Sequence, residues 1–133
     1  MKKICIILLF TALSIIAGLI FFRPMPIIPD RDNTVVNRVW YNWEDATNRI
    51  DFEEVADILS RYYTRRTFHN PFPNLMEDVV WDMTVFRGPR GGRDLIFISL
   101  GKDSVVHAGA SDIVMHRVID PESLMYELSA AME

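Results

Sequence analysis

The sequence predicts an α+β domain carried behind a single membrane-spanning helix. Three observations point there: an uncharged apolar run near the N-terminus, a series of short β-rich segments punctuated by turns, and two segments with helical spacing behind capping residues. The predicted order after the membrane helix is β-α-β-β-β-β-α. That order implies an antiparallel sheet with both helices on one face. The expected boundaries are residues 1–22 for the membrane helix, 23–33 for a Pro-rich linker and 34–133 for the domain.

Lys2 and Lys3 precede an apolar run from Ile4 to Phe22 in which only Thr11, Ser14 and Gly18 interrupt the large side chains. As a helix the run is about 28 Å long, close to the ~30 Å hydrocarbon core of a bilayer. A cleaved signal peptide needs a shorter apolar region and small residues at the cut. The best match, Ala12-Leu13-Ser14, would leave Ile15 to Phe22 as an apolar new terminus. An uncleaved signal anchor is therefore expected, with secretion after cleavage as the alternative. The paired lysines hold the N-terminus in the cytoplasm, so a single-pass topology places the C-terminal domain outside it. In a bacterium this is the outer face of the cell membrane. Cys5 is the single cysteine and lies in the apolar run, so the domain has no disulfide.

Residues 23–33 hold three prolines and alternating Arg and Asp, which predicts a spacer of about 30 Å at ~3.1 Å per residue. Thr34 to Trp43 is β-branched and aromatic and reads as a strand. Asp51 with Glu54 three positions later forms a capping-box pattern. Phe52, Val55, Ala56, Leu59 and Tyr62 or Tyr63 follow at helical spacing, so a helix is expected over 52–63. Residues 64–77 show no period and read as a loop. Val79 to Phe86 alternates as a strand, and Gly88 to Gly92 is a turn. Leu95 to Leu100, Val105 to Ala108 and Ile113 to Ile119 complete four antiparallel strands. Asp120-Pro121 opens a last helix with Leu124, Leu128 and Ala131 on its apolar stripe.

This order is similar in outline to the helix-covered curved sheet of TATA-binding-protein halves. The charge is not: four basic and two acidic residues in 1–33 leave −6 on residues 34–133 of a chain whose total is −4. An acidic domain lacks the basic surface that nucleic acid requires, so no nucleic-acid partner is expected. The stretches Ile50-Asp51-Phe52-Glu53-Glu54, Ile96 to Gly101 and Ile119 to Leu124 resemble small uncharacterised secreted or membrane-anchored α+β domains of Gram-positive bacteria. The resemblance implies a location and a fold class, and no activity.

Candidate chemistry is sparse. Arg87, Arg90 and Arg93 surround a glycine-rich hairpin tip, and Arg65 and Arg66 sit in the long segment before it. Guanidinium groups beside free backbone amides bind phosphate or carboxylate. A hairpin turning on Ser111-Asp112 would set His107 directly opposite His116, about 5 Å apart at Cβ. With His69, Asp or Glu as a third ligand such a pair holds a metal. Without one, the histidines are polar residues on an open sheet face, and no cofactor is expected. Phe68, ahead of Pro71, and Phe72, between Pro71 and Pro73, fit a protein-binding patch, or a loop folded back over the core. No G-x-S-x-G elbow, nucleotide loop or cysteine nucleophile is present, so no enzymatic activity is expected. The leading expectation is a membrane-tethered, non-catalytic interaction module that binds a protein partner through 64–77 and the open sheet face. Two alternatives remain. One is a domain that binds an anionic ligand, a lipid headgroup or acidic polymer, through the arginines. The other is a metal-dependent enzyme.

Overall fold

Helix α1 (Lys2–Phe21) keeps its apolar side chains outside the rest of the molecule. By length and composition it is able to cross a membrane, as a signal anchor or a signal peptide does. Its two hydroxyl groups turn back on the helix: Thr11 donates to the Ile7 carbonyl at 2.9 Å and Ser14 to the Phe10 carbonyl at 2.8 Å. Each hydroxyl hydrogen is thereby satisfied within the helix itself. The computed structural model describes residues 2–89, 94–110 and 112–132.

The expected spacer is part of the fold. Only Phe22 to Pro24 separate α1 from strand β1 (Met25–Pro26), which pairs antiparallel with a strand further along. Ile27 and Ile28 follow into the core at 1% and 3% exposure. Ile27 N–H donates to the Tyr62 carbonyl at 2.9 Å. Arg31 then bridges Glu53 and Asp57 at 2.6 Å each, and both carboxylates hold its guanidinium pKa up. The prolines that read as a spacer are compatible with an edge strand, where no ladder N–H is needed. Two adjacent isoleucines have more to gain from burial than from standing in water.

Strand β2 (Thr34–Tyr41) ends two residues before the expected Trp43, because Asn42 and Trp43 both take positive φ (47° and 66°) and form a tight turn into β3 (Glu44–Asp45). A 3-10 turn (Thr47–Arg49) leads to α2 (Phe52–Arg61). Asp51 caps it as expected, but by accepting from Glu53 N–H at 2.9 Å. The helix stops at Arg61 and the chain enters β4 (Tyr63–Arg66), where a loop was expected. Four residues are too few for a period to show, yet their burial alternates, with Thr64 inward and Tyr63 and Arg65 outward. After a one-turn helix α3 (Leu75–Asp78) come β5 (Trp81–Arg87), β6 (Asp94–Leu100), β7 (Ser104–Ala108), β8 (Ile113–Val118) and α4 (Pro121–Ala130). Asp120 caps α4 and Pro121 opens it, as read from the sequence.

Among the described residues eight strands form one antiparallel sheet, in the order β1-β4-β8-β7-β6-β5-β2-β3. The meander β5 to β8 is the expected one; β1, β3 and β4 are additions. One core cluster joins Val55, Ile58 and Leu59 of α2, Leu124 and Leu128 of α4, and the inward side chains of the strands. Glu127 of α4 ties the two helices: it accepts from the Tyr62 hydroxyl at 2.8 Å and pairs with Arg61, which together pull its carboxyl pKa down.

Candidate functional site

Antiparallel pairing brings the C-terminal ends of β4, β5 and β7 together with the N-terminal ends of β2, β6 and β8. β1 joins β4 at the same end, so α1 arrives there too. Register then fixes which side chains share a row. One row runs Tyr41, Trp81, Leu100, Val105, His116, Arg66. The next runs Val39, Met83, Ile98, His107, Val114. Both begin in the apolar core; the first ends in His116 and Arg66, and the second carries His107 before ending at Val114.

Those polar ends border a cavity of about 630 Å³ at the α1 end of the sheet. Arg66, Arg87, His107 and His116 line it with Asp94 and Asp112, and Met25, Pro26 and Pro29 contribute to its wall. Arg66 is also held from outside: its guanidinium carbon lies 4.5 Å from the centre of the Phe21 ring, a cation–π contact. Among the described residues, neither Arg66 nor Arg87 has an ion-pair partner.

The hairpin closes between Gly109 and Asp112, one residue earlier than expected. His107 therefore faces Val114 and His116 faces Val105. The histidines are not a direct cross-strand pair but a diagonal one on the same face, with ring centres 5.3 Å apart. Thr64 Oγ1 donates to the Met25 carbonyl at 3.2 Å, which spends its only hydrogen. Its 3.3 Å contact with His116 Nδ1 then requires Nδ1–H as donor and leaves Nε2 an acceptor. His107 Nε2 is shut off from solvent and has no hydrogen-bond partner among the described residues. Burial, then His116, then Arg87 lower the His107 pKa to about 4. Burial and Arg66 lower that of His116. Both rings are neutral at neutral pH. No group of three His, Cys, Asp or Glu with metal-binding geometry occurs among the described residues, and the third ligand considered for the histidines is not assembled.

The other candidates separate. Arg65 points away from the cavity, beside Arg117 on β8. Arg90 and Arg93 lie outside the described residues. Phe72 is 7% exposed, and its ring fills the space that a Cβ at Gly101 would need. It caps the core and offers no contact surface. Phe68 is 75% exposed, yet its ring stacks on Phe21 at 5.3 Å and meets Phe22 edge-on at 5.7 Å. Sequence reading missed Asp94 and Asp112 as neighbours of the arginines, and missed the wall formed by 25–29. Comparison with family models, with curated proteins and with solved structures found no match.

Proposed function

We propose that the chain is a membrane-anchored binding domain, held outside the cytoplasm by α1, that takes a small anionic ligand in the cavity beside the anchor. The observation that carries this reading is the convergence of Arg66 and Arg87, neither of them ion-paired among the described residues, on one cavity that His107 and His116 also line. Guanidinium groups donate two parallel hydrogen bonds to a phosphate or carboxylate. Asp94 and Asp112 make the lining formally neutral, so recognition depends on placement more than on field. The carboxylates also favour a ligand whose anionic group is accompanied by hydrogen-bond donors. No catalytic role is assigned.

The test is a thermal titration of the full-length protein in neutral detergent with inorganic phosphate and with glycerol 3-phosphate. At low salt, where screening is weakest, glycerol 3-phosphate raises Tm, and Arg87→Ala removes the rise. An unchanged Tm with both probes would reject the reading.

A protein partner is the second reading, and the outer sheet face supports it. Leu95, Phe97 and Ile113 are exposed there, with Ala108 between Phe97 and Ile113 in the ladder, and Leu95 and Phe97 also border the cavity. Photo-crosslinking from Phe97 in intact cells, with Tyr126 on the exposed side of α4 as control, is expected to capture one partner from Phe97 alone. Equal labelling from both positions would count against it.

A further inference from the structure

The cavity, the aromatic contact and the end of α1 meet in one residue. Arg66 lines the cavity and caps the Phe21 ring. Phe21 is the last residue of the apolar helix, and Phe22 and Phe68 pack around it. In a spanning helix that end is the lipid–water interface, where aromatic rings are favoured. Only Arg23 and Pro24 lie between Phe22 and β1, so the domain has no spacer to lift it away. A ligand site bordered by Arg66 is therefore at headgroup level.

We infer that the ligand is the headgroup of a membrane phospholipid that carries hydroxyl groups beside its phosphodiester. This rests on the anionic-ligand reading and names the source of the anion. The phosphodiester pairs with Arg66 and Arg87. The headgroup hydroxyls donate to Asp94 and Asp112. A headgroup with a bare phosphate would leave the two carboxylates facing an anion, and a choline headgroup has no hydrogen-bond donor to give them.

The experiment uses the full-length protein in nanodiscs of phosphatidylcholine, with and without phosphatidylglycerol. The readout is amide hydrogen exchange over residues 104–118, which contain both histidines. Phosphatidylglycerol slows this exchange. The Arg66→Ala/Arg87→Ala double variant needs about a hundredfold more of the lipid for the same protection, since each of the two lost charge-assisted contacts is about a tenfold effect. Arg65→Ala, on the opposite face of β4, responds like the parent. Exchange of the double variant in pure phosphatidylcholine establishes that it is folded. If glycerol 3-phosphate added to phosphatidylcholine discs protects as strongly as the lipid, the ligand is soluble: the lipid inference falls and the proposed function stands. If neither protects, both fall. If phosphatidylglycerol protects the double variant as well as the parent, the effect belongs to surface charge and the inference is overturned.

Discussion

Two halves of the same sheet face behave differently. Over β2, β5 and β6 the inward rows are Val36, Val39, Trp81, Met83, Val85, Ile96, Ile98 and Leu100, nearly all closed to solvent. They share one core with Leu59 of α2 and with Leu124 and Leu128 of α4. Over β7, β8 and β4 the same rows continue as His107, His116 and Arg66 and border a cavity. The backbone ladder is continuous across the change; only the side chains differ. One half is therefore closed by apolar side chains alone, whereas the other mixes core residues such as Val105 and Val118 with polar side chains that border the cavity. Orphaned polar groups are costly when buried, which is what the proposed ligand site would explain.

That contrast can be broken by substitution. Leu128→Ala in α4, or Met83→Ala in β5, is expected to cost about 2–5 kcal/mol through lost burial and a residual cavity, seen as a lower urea midpoint at unchanged slope. A cost below the error of the measurement would mean that the covered half is not the stabilising one.

The polar half gives a pH signature. His107 titrates near 6.5 unfolded and about 4 folded. The unfolded chain thus takes up the proton first, and stability falls as pH drops from 6.5 towards 4. By pH 5 the loss reaches about 2 kcal/mol at ~1.4 kcal/mol per pH unit. Paired carboxylates such as Glu127, whose pKa the fold lowers, also lose stability as pH falls, so the comparison is with His107→Leu, whose stability changes less over the same range. Parallel curves for the two proteins would refute the assignment.

At neutral pH, His107→Leu is expected to leave stability unchanged or raise it by about 1 kcal/mol, since it removes an unpartnered buried nitrogen. A clear loss of stability would instead make His107 a structural residue. The smallest effect is expected from Arg65→Ala, within about 0.5 kcal/mol of the parent and without consequence for ligand response. If it matched the loss of Arg66→Ala, the two faces of β4 would not be distinct.

Much of this was legible in the chain. Helical spacing and caps located α2 and α4, and alternation with Gly and Pro punctuation located β5 to β8. The apolar run of α1 announced itself by length. What stayed hidden was set by long-range pairing. Residues 25–28 looked like a proline spacer because β1 is two residues long, and its reason to exist is β4, about forty positions away. β4 itself is too short for its alternation to rise above a loop. The histidine geometry turned on a hairpin register that moved by one residue, which changed a direct pair into a diagonal one without changing the face. Of the arginines, local sequence grouped Arg87 with its hairpin neighbours and Arg65 with Arg66. The fold instead joins Arg66 and Arg87 across the cavity and turns Arg65 away. Phe68 and Phe72 looked equivalent, and only the packing of Phe72 on Gly101 and of Phe68 on Phe21 distinguishes them.

The measurement that bears most directly on the polar corner is imidazole nitrogen NMR of the full-length protein in neutral detergent during titration with glycerol 3-phosphate. The account predicts that the Nε2 resonance of His116, the ring nitrogen left as an acceptor on the cavity wall, moves on saturation, and that Arg87→Ala abolishes the movement. A His116 resonance that stays fixed while the protein binds the ligand would place the site elsewhere and contradict the account.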